Sequence, residues 1–286
     1  MAGPYPKKDP PRCLDRCEVL RDKGGKELVI WEESGQSYRC PTALPDGKFA
    51  VLRYVSGDET LDGDAYQTLR IFEWDGTVIL DIPVSVFDRS MAIVGDTLFI
   101  AGNGEISRGG DAMPEAGPPV LSRLDIGGEE IRSVAIQHEY GNIELSQVVY
   151  AENSLLVGGS ANAAGTDIGV LMRMDLKGGV IWTAEFAPET GSGRNICDVC
   201  VSEDGAIAVA WAEYGDFPDD GRLCGVSGLS MDGEALWNHK TGDERVNCIL
   251  PVRGGVVSCA SAKGRIYSIV PLRAAARCCC WMRRET

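Results

Sequence analysis

A short phrase recurs along this chain at nearly constant spacing. Five segments combine an Asp- or Gly-rich turn with a large apolar residue, and successive turn glycines lie 51, 51, 51 and 55 residues apart. These glycines are Gly25, Gly76, Gly127, Gly178 and Gly233. A fixed period of this length is the signature of a repeat architecture in which each repeat is one supersecondary unit.

Each repeat has the pattern of two β-hairpins. Segments such as DLKGGVIW (175–182) and SMDGEALW (230–237) place a tight turn between two apolar runs. A second hairpin lies between them, for example VCVSEDGAIAVAWA with its turn at Asp204 and Gly205. Four short strands per unit predict a β-propeller blade. A generic β-sandwich, the alternative, does not explain why a bulky residue recurs at the same position of each repeat.

The fold class we predict is an all-β propeller of about five four-stranded blades. Complete units run near 38–82, 88–134, 144–187 and 195–240, and a fifth begins near 245. That fifth unit ends after its third strand, RIYSIV (265–270). We expect KELVIW (26–31) to supply the missing fourth strand, so that the N-terminal strand pairs with the last blade and closes the ring.

Two features qualify this assignment. CEVLR (17–21) also has the pattern of a strand next to 26–31, which leaves a six-bladed ring open as an alternative. The final residues fit no strand of the repeat. We therefore assign residues 1–272 to a single propeller domain and 273–286 to a basic, Cys-rich C-terminal tail.

The repeats resemble those of the quinoprotein-like (PQQ-like) propellers, whose blades pair an Asp/Gly turn with a strand that closes on Trp. The segments from Asp175 to Trp182 and from Asp232 to Trp237 carry this resemblance. It implies a propeller in which Trp31, Trp182 and Trp237 dock between neighbouring blades. The seven or eight blades, the export signal and the cofactor site of the family's enzymes have no counterpart here, so the resemblance implies neither a cofactor nor a catalytic residue.

Charge and cysteine content narrow the classes of partner and compartment. The net charge is −14, and both termini are basic, so the middle of the chain is strongly acidic and disfavours nucleic acid. No apolar run reaches the length of a membrane span, and the first thirty residues lack the apolar stretch of a signal peptide. The eleven cysteines show no disulfide framework. We expect a soluble protein in the cytoplasm or another reducing intracellular compartment.

Acidic residues concentrate in the loops between the second and third strands of the predicted blades. In a propeller these loops share one face, where we expect them to bind a protein partner with a basic surface. The partner-binding candidates are Asp58, Glu59, Asp62, Asp64, Asp216, Asp219 and Asp220. The alternatives are a solvated face without a partner and a calcium site, although DETLDGD (58–64) lacks the full EF-hand spacing.

No catalytic or metal-binding motif accompanies these loops. CDVC (197–200) has the spacing of half a zinc site but no second pair of ligands is evident, so we expect buried thiols there. The two histidines, His138 and His239, lack motif partners, and we expect them on the solvated surface. In the tail, Cys278, Cys279 and Cys280 stand beside arginines, where they could accept palmitate or contact a membrane or another subunit.

Two functions from different classes fit this pattern. The first is a non-enzymatic scaffold that binds a protein partner through the acidic loop face. The alternative is a small-ligand-binding or enzymatic propeller that uses its central channel, where first-strand residues such as Asn195, Asp198 and Asn247 could converge. Because propellers host many activities, the fold alone does not decide between the two.

Overall fold

A computed structural model gives the fold of this protein, and its strands follow the repeat. The residues that it describes are 19–21, 27–29, 36–55, 66–73, 75–84, 89–104, 117–126, 131–140, 143–189, 193–202, 204–214, 223–242, 246–252, 255–260 and 266–269. Two compact units, Met1–Pro83 and Val84–Thr286, divide the chain.

The first unit contains a strand pair and one blade. Strand β1 (Val19–Arg21) pairs antiparallel with β2 (Glu27–Val29). Blade 1 is a four-stranded sheet in chain order with a 3-10 turn (Pro45–Gly47) in its first hairpin. Its strands are β3 (Gln36–Ala43), β4 (Lys48–Val55), β5 (Tyr66–Glu73) and β6 (Val78–Val84).

The second unit continues with blades 2 and 3, which have the same strand order. Blade 2 consists of β7 (Ser90–Val94), β8 (Thr97–Asn103), β9 (Pro119–Asp125) and β10 (Ile131–Ala135). Blade 3 consists of β11 (Ile143–Ala151), β12 (Ser154–Ala163), β13 (Thr166–Asp175) and β14 (Val180–Phe186).

Blades 4 and 5 complete the second unit. Blade 4 consists of β15 (Gly193–Val201), β16 (Ile207–Tyr214), β17 (Cys224–Leu229) and β18 (Ala235–Gly242). Blade 5 has three described strands, β19 (Val246–Val252), β20 (Gly255–Ala260) and β21 (Ile266–Ile269). A single parallel bridge between Asp167 and Gly193 connects blade 3 to blade 4. We call the first strand of each blade, which begins its sheet, the inner strand.

Left-handed backbone explains the recurring phrase. Gly76, Gly178 and Gly233 adopt φ of 92°, 93° and 86° at the turn before the fourth strand of their blades. Side chains other than hydrogen are disfavoured at such angles, so the turn selects glycine. Glu152 and Asn153 both have positive φ in the two-residue turn between β11 and β12, as a type I′ hairpin requires.

The predicted blades are confirmed. The sheets begin and end within a few residues of the four units predicted from the repeat, and 266–269 is the third strand of blade 5. Ring closure through 26–31 and 265–270 stays a prediction, since β2 pairs with β1 and β21 pairs with β20 among the described strands. The five-blade and six-blade alternatives both stand, and so does the prediction of a single domain over 1–272.

Apolar side chains pack within each unit. In the first unit the Phe49 and Phe72 rings, opposite each other on β4 and β5, stack with centroids 5.0 Å apart. In the second unit, three apolar clusters join successive blades: one lies between blades 2 and 3, one between blades 3 and 4, and one between blades 4 and 5. No helix in the described part of the chain is long and apolar enough to cross a membrane.

Candidate functional site

The inner strands of blades 3, 4 and 5 share a β-bulge at equivalent positions. Strand pairing shifts at Ser146 in β11, at Cys197 in β15 and at Asn247 in β19. A bulge adds one residue to a strand and re-aims the side chains that follow it. The residue directly after the bulge, Gln147 in β11 and Asp198 in β15, turns its side chain towards the next blade.

Side chains that follow two of these bulges, and Ser90 at the start of β7, form hydrogen bonds with the backbone of the following inner strand. We call these residues, Ser90, Gln147 and Asp198, the inner belt. The contacts are Val148 N to Ser90 Oγ (3.0 Å), Gln147 Nε2 to Cys197 O (2.9 Å) and Ile249 N to Asp198 Oδ2 (2.8 Å). Each contact satisfies a backbone group that lies at the inner edge of its sheet and that has no strand neighbour on that side. The inner belt therefore ties blades 2 to 5 together.

Asp198 is the charged member of the inner belt. Its Oδ1 accepts a hydrogen bond from Val199 N (2.9 Å), so both carboxylate oxygens have backbone donors. Burial raises the pKa of this carboxyl above its ordinary value, and the two backbone donors offset only part of that effect. Burial, with a smaller effect from Asp198, also raises the pKa of the nearby Cys200 thiol to about 12.

Asn195 and Glu144 occupy the same position in neighbouring inner strands, two residues before the bulge. The Asn195 Oδ1 is buried and has no hydrogen-bond partner among the described residues. A buried acceptor of this kind costs about 1–3 kcal/mol when it stays unpaired. A buried acceptor of this kind calls for a donor from outside the described residues, such as an ordered water or a ligand.

Glu144 lies beside a tyrosine and an arginine from other blades. It forms an ion pair with Arg89, which immediately precedes β7. Burial raises the pKa of Tyr214, whose hydroxyl donates to Asp167 Oδ2 (2.6 Å), and the nearby Asp167 and Glu144 carboxylates raise it further. A Cβ at Gly193 would lie 2.7 Å from the Tyr214 ring, so only glycine leaves room for the ring here. Glu144, Asp167 and Asn195 lie near the amino-terminal ends of β11, β13 and β15, and Tyr214 ends β16. We call these four residues the mouth cluster.

A buried ion pair lies directly beside the mouth cluster. The Arg194 guanidinium binds the Glu213 carboxylate, and the two side chains are only 6% and 0% exposed. Arg194 also stacks 3.9 Å above the Trp211 ring. The same Glu213 oxygen accepts a hydrogen bond from Glu189 N (2.7 Å), while the Glu189 side chain pairs with Lys240. This network fixes the end of the segment that leads from blade 3 into β15.

The predicted partner-binding face cannot be placed. All seven acidic candidates lie outside the described residues: Asp58, Glu59, Asp62, Asp64, Asp216, Asp219 and Asp220. The same is true of the tail with Cys278, Cys279 and Cys280. Binding of a basic partner by this face and contact of the tail with a membrane or subunit stay predictions.

The cysteines and histidines lie partly or fully inside the blades. Cys200 is buried and Cys197 partly buried, in agreement with the expectation of buried thiols. His138 and His239 are both partly buried instead of solvated, because they lie on or next to strands that neighbouring residues cover. Burial lowers the pKa of His239. Among the described residues, no group of three or more His, Cys, Asp or Glu side chains is arranged to hold a metal ion.

The tryptophans expected between blades can be examined at two positions. The Trp182 indole on blade 3 donates to Met231 O of blade 4 (2.9 Å) and lies against Gly233, where a Cβ would be 3.0 Å from the ring. This confirms inter-blade docking for Trp182. Trp237 packs against the apolar cluster between blades 4 and 5, while Trp31 lies outside the described residues.

Sequence reasoning identified Asn195 and Asp198 as inner-strand residues but missed Glu144, Arg194 and Glu213. Aligning the repeats on their bulges would have paired Glu144 with Asn195, which are 51 residues apart. No sequence signal links Arg194 to Glu213, because their pairing depends on the register of β15 with β16. Asn247 lies on β19, but its side chain is outside the described set.

No family model and no curated protein matches the chain by sequence. Solved structures match it in fold. An α-L-arabinanase from Penicillium chrysogenum, complexed with arabinobiose, has a TM-score of 0.59 at 10% identity, over 84% of this chain and 79% of the arabinanase. A puromycin hydrolase has a TM-score of 0.54 at 12% identity, and a prolyl oligopeptidase B from Galerina marginata has 0.50 at 10% identity. They match over 86% and 92% of this chain but over only 38% of their own lengths.

These likenesses establish the β-propeller fold and do not confirm the quinoprotein-like family. They also correct one functional prediction. The matched propellers belong to enzymes, so this fold does not favour a non-enzymatic scaffold, and that prediction was wrong. The inference had rested on missing sequence motifs, but propeller enzymes assemble their sites from residues on different blades, which short motifs do not reveal.

Proposed function

We propose that this protein is a small-ligand-binding or enzymatic propeller whose site lies at the inner strands, in the central channel. One observation carries the proposal: the buried Asn195 Oδ1 has no hydrogen-bond partner among the described residues. A ligand that donates a hydrogen bond there would remove the cost of this unpaired acceptor. Ligand sites are typically built from a few such convergent polar groups.

The surrounding residues take different roles in this proposal. Asn195 and Glu144 contact the ligand, because they hold equivalent positions on adjacent inner strands and Glu144 is about half exposed. Asp198 positions the inner strands, because both of its oxygens are engaged by backbone donors. Arg194 and Glu213 hold the start of β15, which carries Asn195.

The comparisons support an enzymatic or ligand-binding propeller without naming its substrate. The arabinanase, the puromycin hydrolase and the prolyl oligopeptidase B act on different molecules, and each contains a propeller that this chain resembles. Their common element is a rigid ring on which inner-strand residues can converge. We keep membership of the quinoprotein-like family and a reducing intracellular compartment as further proposals, the latter because it suits the buried Cys200 thiol.

A thermal-shift screen tests the proposal. Wild-type protein is melted with panels of metals, sugars, nucleotides and quinones, and each positive compound is repeated with Asn195→Ala. We expect at least one compound to raise the Tm of the wild type and to have little effect on the variant. Asn238→Ala is the matched control, since Asn238 is exposed on β18 and accepts a hydrogen bond from Ser227 Oγ (3.1 Å). If no compound gives an Asn195-dependent shift, the proposal is wrong.

A further inference from the structure

We propose that the ligand of this site is an uncharged, hydroxyl-rich molecule of the saccharide type, and not an anion such as a phosphorylated metabolite. The inference rests on the proposed function and adds the chemical class of the ligand. It follows from the hydrogen-bonding character of the mouth cluster, from the pairing of its basic neighbours and from the exposed Tyr214 ring.

The first argument is that the mouth cluster presents acceptors. The buried atom that lacks a partner among the described residues is a carbonyl oxygen, Asn195 Oδ1. Glu144 adds carboxylate oxygens, which accept and cannot donate when ionised. Both Asp167 oxygens already accept hydrogen bonds, from the Tyr214 hydroxyl and from Asn162 Nδ2 (2.8 Å). A ligand that contacts Asn195 and Glu144 must donate hydrogen bonds to both. Hydroxyl groups do so, whereas a fully ionised phosphate or carboxylate cannot.

The second argument is that positive charge at this end of the blades is already neutralised. Three basic side chains near the mouth cluster form ion pairs: Arg89 with Glu144, Arg194 with Glu213, and Lys240 with Glu189. Asp167 adds a further carboxylate, which accepts a hydrogen bond from the Tyr214 hydroxyl. A phosphate would therefore enter a site with surplus negative charge and would have to break an existing ion pair to gain a cation.

The third argument concerns the Tyr214 ring. Tyr214 is 40% exposed although its hydroxyl is anchored to Asp167 and its ring lies over Gly193. The ring is thus held in one orientation while part of its surface stays open. A fixed aromatic face beside several acceptors combines an apolar contact with orienting polar groups, the usual composition of a small-molecule site. It suits a sugar ring, which has apolar C–H faces and hydroxyl edges.

The test compares matched probes by isothermal titration calorimetry. The neutral probes are cellobiose, maltose and arabinobiose, and each is paired with a singly phosphorylated or carboxylated analogue of the same sugars. We expect a neutral probe to bind the wild type at least tenfold more tightly than its anionic analogue. We also expect Asn195→Ala and Glu144→Gln to weaken that binding at least tenfold. Glu234→Gln, in the exposed turn between β17 and β18, is the matched control and should bind like the wild type.

The outcomes separate this inference from the proposed function. If an anionic analogue binds as tightly as the neutral probe and depends on Asn195, the site exists but the ligand class is wrong. If the neutral sugars fail and a nucleotide or quinone from the thermal-shift screen binds in an Asn195-dependent way, the ligand class is wrong as well. If nothing binds in an Asn195-dependent way, the proposed function fails and this inference falls with it.

Discussion

Two neighbouring regions of the second unit differ in the buried polar side chains that lie beside their apolar clusters. Between blades 2 and 3, a neutral side chain, Asn103, is buried beside the apolar cluster and is 1% exposed. Its amide donates to Ile143 O (2.6 Å) and accepts from Leu145 N (3.0 Å). Blade 4 instead buries an ion pair, Arg194 of β15 with Glu213 of β16, beside the apolar cluster that it shares with blade 3.

The difference shows where the fold accepts an energetic cost. A neutral amide that bonds backbone groups completes an interface cheaply, as Asn103 does. Burying an ion pair carries a desolvation penalty that its attraction often fails to offset. The costly arrangement lies next to Asn195 and the mouth cluster, so we interpret it as a device that fixes the site and the inexpensive one as ordinary packing.

Breaking the ion pair should give the largest effect on stability. Glu213→Ala leaves the Arg194 charge buried without its carboxylate, and we expect the free energy of unfolding to fall by about 3–5 kcal/mol. Urea denaturation measures this, with the exposed Glu234→Ala as control. The double variant Arg194→Met with Glu213→Leu should recover most of the loss, since it removes both charges. A double variant less stable than Glu213→Ala would show that the pair is itself a stabilising interaction.

Removing the amide between blades 2 and 3 should cost less. Asn103→Ala leaves Leu145 N and Ile143 O without their side-chain partner, and we expect a loss of about 2–3 kcal/mol by the same denaturation measurement. Asn238→Ala on the outer strand should change stability little. If Asn103→Ala lowered stability more than Glu213→Ala, the contrast between the two regions would be reversed.

The pH dependence linked to Asp198 should be the smallest of these effects. Burial raises its folded-state pKa, so the native state holds the proton more tightly than the unfolded chain. Stability contributed by this group is therefore present at low pH and is lost as pH rises through the folded pKa. Relative to wild type, Asp198→Asn should gain stability as pH increases. The free energy of unfolding is measured by denaturation from the ordinary pKa of an aspartate upwards, with Asp232→Asn as control. If the difference in this free energy between wild type and Asp198→Asn does not change with pH, the raised pKa of Asp198 is contradicted.

The blades could be predicted from sequence because their signals are local. The turn at Gly178 or Gly233 needs a left-handed residue whatever surrounds it, so glycine marks the turn at a fixed period. The site could not be predicted in the same way. Tyr214 meets Asp167, and Gln147 meets Cys197, only after two blades have packed, so the partners lie some tens of residues apart with no motif between them.

The proposed ligand site was also hard to predict because its central residue is a neutral asparagine. Asn195 belongs to no catalytic or metal-binding motif, and it attracts notice only because its carbonyl oxygen is buried and unpaired among the described residues. The acidic loops were conspicuous in the sequence, and their binding of a basic partner stays a prediction because they lie outside the described residues. The scaffold hypothesis followed from that prominence, and the fold comparisons overturned it.

The most direct test of the central claim is to follow the Asn195 side-chain amide by nuclear magnetic resonance while a ligand is added. Comparison of the wild-type spectrum with that of Asn195→Ala identifies its signals. During titration with the neutral saccharide or other compound that raises the Tm, the Asn195 amide should shift progressively and saturate, while the exposed Asn238 amide stays in place. Saturable binding that leaves the Asn195 signals unmoved would contradict a ligand site at the inner strands.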